Sequence, residues 1–171
     1  MVSRRLLLFG GILVVASSVA FAQSPQGRIV RNEILEIPAT GETIETALAL
    51  QDGQLYLVEA SGIYTYAPGN RVADPEFAYD PDSNAWSELG AGPEETIPIN
   101  LDLLVDGAPV DWLGSEDGKK FLPHTFSQSH TYRLVLEGTG QPVSFKIYDV
   151  SYDWNEGSLT VTISKLKGRR P

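Results

Sequence analysis

The sequence predicts an all-β protein, an antiparallel β-sandwich or jelly roll, and three observations carry that prediction. Short runs of alternating apolar and polar residues recur along the chain, and Gly, Asp, Asn or Pro separate them. With 16 Gly and 11 Pro spread through 171 residues, no window of ten or more positions keeps a helical apolar period uninterrupted. The composition, 42% hydrophobic and 20% charged, suits a chain that buries a core of one ordinary domain.

The first element, residues 1–22, reads as a secretory signal peptide. Arg4 and Arg5 form its positive end, Leu6 to Val15 its apolar stretch, and Ala20-Phe21-Ala22 a small-x-small cleavage site before Gln23. Its uncharged stretch is short for a membrane anchor, and no second hydrophobic stretch follows. The expected product is secreted or periplasmic, with no membrane span after cleavage. It comprises a polar arm (23–32), a sandwich domain (33–165) and a basic tail (166–171).

Within the domain, strands are expected at 31–38, where Ile34, Leu35 and Ile37 are apolar, and at 43–50, where Ile44, Thr46, Leu48 and Leu50 share one side. The Asp52-Gly53 turn leads into Gln54–Ala60. Ile97–Val105 ends at a second Asp-Gly turn, and Thr131–Glu137, Val143–Tyr148 and Ser158–Ser164 complete the set. Pro68 to Pro98 breaks the pattern with five prolines and many acids, so it reads as a long excursion, the kind of segment that carries function on a β scaffold.

Charge and composition narrow the chemistry. There are 13 Lys and Arg against 22 Asp and Glu, a formal charge of −9 that becomes −11 once the leader and its two arginines are removed. Such a surface repels phosphate backbones and attracts divalent cations, so nucleic acid is not an expected partner. The absence of Cys excludes disulfides, thiolate metal sites and thiol nucleophiles. His124 and His130 are the two imidazoles. There is no G-x-S-x-G, phosphate loop or H-E-x-x-H, and the chain reads as non-catalytic.

Three acidic clusters are candidates for a site. Asp149 to Ser158 packs Asp149, Asp153, Asn155 and Glu156 between two strong strands, with Gly157 free to take an unusual backbone angle. Calcium takes six to eight oxygens from such a flexible loop. The same residues also suit a hairpin turn in which Asp and Asn bond the backbone. Asp74-Pro75-Glu76 with Asp80-Pro81-Asp82-Ser83-Asn84 is either a second set of oxygen ligands or a solvated loop. Asp111 to Gly118 is the third cluster, and within it Glu116-Asp117-Gly118 is most simply a turn. Trp86, Trp112 and Trp154 fall in expected loops, where each is either a stacking face for a sugar ring or a plug at the edge of the core.

Two of these segments taken together resemble a known family. Ala60-Ser61-Gly62-Ile63-Tyr64-Thr65-Tyr66-Ala67-Pro68, and Asp149-Val150 followed by Tyr152, Asn155, Gly157-Ser158 and Val161, are similar to stretches of the calcium-dependent galactose-binding bacterial lectins and related galactose-binding-like sandwiches. The resemblance implies a Ca2+ held by the Tyr66 carbonyl, Asp149 and Asn155. The family loop is about two residues longer and has two adjacent Asn; Trp154 stands in place of the first, and Asp153 is our own addition to the ligand set. The family's sugar-contacting His-Pro-Asp-Gln resembles Asp80-Pro81-Asp82-Ser83, with His and Gln replaced, so the resemblance implies a carbohydrate partner without specifying galactose. The expectation is a calcium-dependent, lectin-like module that binds carbohydrate through the metal, with Asp80, Asp82 and a stacking Trp154 at the ligand. The alternative is an envelope interaction module in which calcium only pins a loop.

Overall fold

The structure, a computed structural model, describes residues 32–89, 101–115 and 120–167. The leader and most of the N-terminal arm lie outside the described residues, as do 90–100, 116–119 and 168–171. The strands are β1 (Asn32–Pro38), β2 (Ile44–Glu45), β3 (Leu55–Ser61), β4 (Tyr64–Ala67), β5 (Arg71–Ala73), β6 (Phe77–Asp80) and β7 (Ala85–Glu88). They continue with β8 (Asp102–Val105), β9 (Leu113–Gly114), β10 (Leu122–Pro123), β11 (Thr131–Glu137), β12 (Ser144–Tyr148) and β13 (Ser158–Lys165). No helix occurs among the described residues, and every strand pairing is antiparallel.

Alternation decides which face is buried. The six-stranded sheet runs β1-β13-β3-β11-β9-β10, and register aligns Leu35, Val161, Ala60 and Tyr132 in one row across its first four strands. Ile37, Leu159, Ile163, Tyr56 and Val58 point to the same side, all fully buried. The three-stranded sheet, β2-β12-β8, pairs Phe145 with Val105 and Ile147 with Leu103. The two buried faces share one apolar core, consistent with a β-sandwich. Each fully buried large aliphatic or aromatic side chain contributes roughly 1.5–3 kcal/mol relative to an exposed one.

The main strands fall where alternation places them. The stretch 43–50 departs from expectation: the regular strand ends at Glu45, although Thr46 N–H still donates to Val143 O at 3.0 Å and Thr46 and Leu50 are buried as the pattern requires. Thr46 Oγ1 accepts from Val143 N–H at 3.1 Å and donates to Leu48 O at 2.8 Å, so its hydroxyl takes over where the ladder ends. At the other end of the domain, Leu166 N–H donates to Leu55 O at 3.0 Å, carrying the pairing past β13.

The larger correction concerns Pro68 to Pro98. Its described part supplies β5, β6 and β7, which with the preceding β4 form a four-stranded meander of three- and four-residue strands. Pro75 and Pro81 sit between strands, where a missing N–H breaks no ladder. Trp86 accordingly lies in β7, where its ring is 5.7 Å from that of Tyr79 and 5.3 Å from that of Phe126. Trp112 is the plug: it is wholly buried, and its Nε1–H donates to Leu103 O at 3.4 Å. Trp154 is 61% exposed.

Candidate functional site

The 149–157 loop is shaped by Tyr152. Its hydroxyl accepts from Asp149 N–H at 3.2 Å and donates to Ile147 O at 3.3 Å, folding the loop back on the end of β12. The ring lies on Gly41, which has φ +78° and where an added Cβ would come within 2.4 Å of the ring. Inside the loop, Asn155 Nδ2 donates to Asp149 Oδ2 and to Ala39 O, both at 3.0 Å. Those two acceptors fix the amide, because the opposite orientation would set its oxygen against two others. Asn155 Oδ1 is then left buried with no hydrogen-bond donor. Asp149 Oδ1 accepts from Ser151 N–H at 3.2 Å, and the carboxylate keeps lone pairs beyond these two contacts.

The protein also brings Tyr66 toward this loop. Thr65 and Glu156 exchange backbone hydrogen bonds of 2.9 and 3.0 Å, joining β4 to the residue after Asn155. A register shift between Thr65 and Ala67 leaves Tyr66 without a partner on β5. Its hydroxyl donates to Tyr79 O at 3.4 Å. The neighbouring Tyr64 hydroxyl is buried without a partner, and its pKa is pushed well up by burial and then by the Asp149 charge. Tyr66, Asp149 and Asn155 therefore belong to one neighbourhood. Asp153 and Trp154 are exposed on the same loop.

Asp80 and Asp82 are engaged elsewhere. Arg71 binds Asp80 Oδ1 at 2.7 Å through Nη1 and pairs with Asp82 through Nη2. Asp80 Oδ1 accepts from Asp82 N–H at 3.2 Å and Asp80 Oδ2 from Ser83 Oγ at 3.0 Å, an Asx turn closing β6 to β7. These hydrogen bonds, led by the Asp82 N–H, hold the Asp80 carboxyl below its ordinary range. A shallow polar groove of about 400 Å³ lies beside β11, where the Arg133 guanidinium covers the Phe121 ring at 4.2 Å.

Two further carboxylates in the β5–β6 turn gather partners that sequence reasoning did not connect. Asp74, fully buried, accepts at Oδ1 from the N–H groups of Glu76 (2.9 Å) and Phe77 (2.6 Å). Its Oδ2 lies 2.8 Å from both the Tyr132 hydroxyl and His130 Nδ1. Burial pushes the Asp74 carboxyl up, and the four hydrogen bonds oppose that shift. His130 is further held between Trp86 and Phe126, at ring distances of 4.8 and 5.6 Å.

Glu76, 7% exposed, opens instead into a cleft of about 160 Å³ shared with Glu88, Asp102, Asp111 and His124. His124 Nδ1 is 3.5 Å from Glu76 Oε1 and in contact with Glu88 Oε1, and its Nε2 is 4.0 Å from Asp111 Oδ1. Burial, then the charges of Asp102 and Glu88, push Glu76 up to about 9, although the Trp112 N–H donates to it. Burial raises Asp102 to about 6. The signal for this cleft lies in strand register, since Phe77 pairs with Glu88 and so puts Glu76 beside it. Comparison with known proteins adds no assignment, for no protein-family model, curated protein or solved structure matches the chain.

Proposed function

We propose that the protein is an exported, non-catalytic, calcium-dependent binding module whose metal, held by Asp149, Asn155 and the Tyr66 carbonyl, takes carbohydrate hydroxyls. The observation that carries this reading is Asn155 Oδ1, an amide oxygen buried with no donor, on a side chain whose Nδ2 is hydrogen-bonded to the Asp149 carboxylate. An unmet buried acceptor costs about 1–3 kcal/mol, and a hard cation ligated by neutral and anionic oxygens removes that cost. The bulge at Tyr66, which takes its backbone out of the β4–β5 register, supports the third ligand. When bound, the ion would supply positive charge and open coordination positions for two hydroxyls. Trp154, exposed on the same loop, offers an aromatic face, and Asp153 a further carboxylate at the rim.

The pairing of Asp80 and Asp82 with Arg71 favours one alternative at those positions: they brace the β6–β7 turn and do not touch the sugar. The same module then uses calcium to fix its loop for a protein partner in the envelope. Thermal unfolding with calcium and with chelator tests the metal. An ion present at a hundredfold excess over its Kd adds about 2.7 kcal/mol to stability. Asp149→Asn, which removes the charge and keeps the size, should abolish that difference. An unchanged melting temperature at millimolar calcium would overturn the metal reading. Glycan-array binding lost with chelator and weakened by Trp154→Ala would mark the ligand as carbohydrate; calcium stabilisation without any glycan signal would select the envelope module.

A further inference from the structure

We propose that Glu76, Glu88 and His124 form a second metal site, selective for a divalent first-row transition ion such as Zn2+ and independent of the Asp149 loop. One donor atom from each residue lies within 4.8 Å of the others. Two ligands on a tetrahedral zinc, each about 2.0–2.1 Å from the ion, stand about 3.3 Å apart; the Nδ1 to Glu76 Oε1 separation of 3.5 Å is close to that value, while Glu88 Oε1, in direct contact with Nδ1, would move apart from it to admit the ion. The residues come from three separate segments, so sequence proximity does not explain their convergence. Glu76 leaves the β5–β6 turn, Glu88 ends β7, and His124 follows β10.

The surroundings supply the second argument. The cleft is lined by four carboxylates, those of Glu76, Glu88, Asp102 and Asp111, and no Lys or Arg is among its described lining residues. A divalent ion would bring two positive charges to a lining that holds no described Lys or Arg. An imidazole nitrogen among the donors turns preference away from Ca2+ and Mg2+, which take oxygen, toward zinc and its neighbours. Asp111, 4.0 Å from His124 Nε2, is placed to orient the ring from its far side. Three protein donors leave a coordination position for water, and the cleft has room for it.

Calorimetry of the purified protein, stripped of metal and titrated with ZnCl2 and separately with CaCl2, tests the proposal. One equivalent of zinc should bind, and a millimolar excess of calcium should not displace it. His124→Gln and Glu88→Gln should each weaken zinc at least tenfold, while Asp149→Asn leaves its affinity unchanged. Glu88 is solvent-exposed, so its variant keeps the test valid should His124→Gln not fold. Cobalt in place of zinc should give visible absorption that His124→Gln shifts or abolishes. Zinc affinity within twofold of the parent in both folded variants would overturn the site, as would binding that follows His130 and not His124.

Discussion

The β5–β6 turn carries two buried carboxylates two residues apart, and the protein surrounds them in opposite ways. Asp74 meets four donors from two segments: two backbone N–H groups, a tyrosine hydroxyl and an imidazole. Glu76 meets one backbone N–H, an imidazole it shares with Glu88, and the charges of three further carboxylates. Both are desolvated, so the difference lies in what replaces the lost water. A carboxylate whose lone pairs are met acts as a tie between strands, here fastening the meander to β11. One left among like charges is a standing cost to the fold, and such costs collect where a protein binds something.

The strongest way to break this contrast is Asp74→Ala. It strands the Tyr132 hydroxyl, the His130 ring and two backbone N–H groups in a dry region, and should cost about 3–5 kcal/mol in urea unfolding. A loss below about 1 kcal/mol would mean that Asp74 ties nothing together.

Glu76→Gln should act with the reverse sign. The raised carboxyl keeps its proton in the folded protein, whereas the unfolded chain releases it near the ordinary value of 4.5. Its favourable contribution is therefore complete below about pH 4.5 and is lost as pH rises toward 9. The neutral amide has no such loss. In metal-free protein the variant should match the parent at pH 4 and exceed it at pH 9 by at least about 1 kcal/mol. Equal stability at both ends would show that Glu76 carries no strain.

The smallest effect should come from Asp111→Asn. That carboxylate is largely exposed at the rim of the cleft, so its removal should change stability by less than about 0.5 kcal/mol. A larger loss on unfolding by urea would make the rim part of the folding structure and blur the division between cleft and scaffold.

What the sequence could show follows from how local each feature is. Alternation located β1, β3, β11, β12 and β13 because each is a five- to eight-residue run with one buried face. The Asp149–Asn155 contact was also within reach, since it lies inside one loop and six residues separate its members. The meander was not legible: its strands are too short to display a period, and the prolines that read as a break in structure are its turns. The His124 cleft is harder still. Glu76 and Glu88 are neighbours only through the β6–β7 register, and nothing in the local sequence of His124 records that they face it. Trp86 was misplaced for a related reason, as an aromatic in a polar stretch reads as loop until its partners are known.

The seat of the Tyr152 ring on Gly41 bears on kinetics. A side chain at position 41 would meet that ring, and the ring's hydroxyl ties the turn containing Asp149 back to the end of β12. The loop is thus braced by a residue from the opposite end of the domain before any ligand arrives. In the calcium reading proposed above, a pre-shaped loop of this kind loses little conformational freedom on capture, so ion entry is set by desolvation and diffusion. In that reading, a residue larger than glycine at position 41 would slow the capture, which reordering of the turn would then gate.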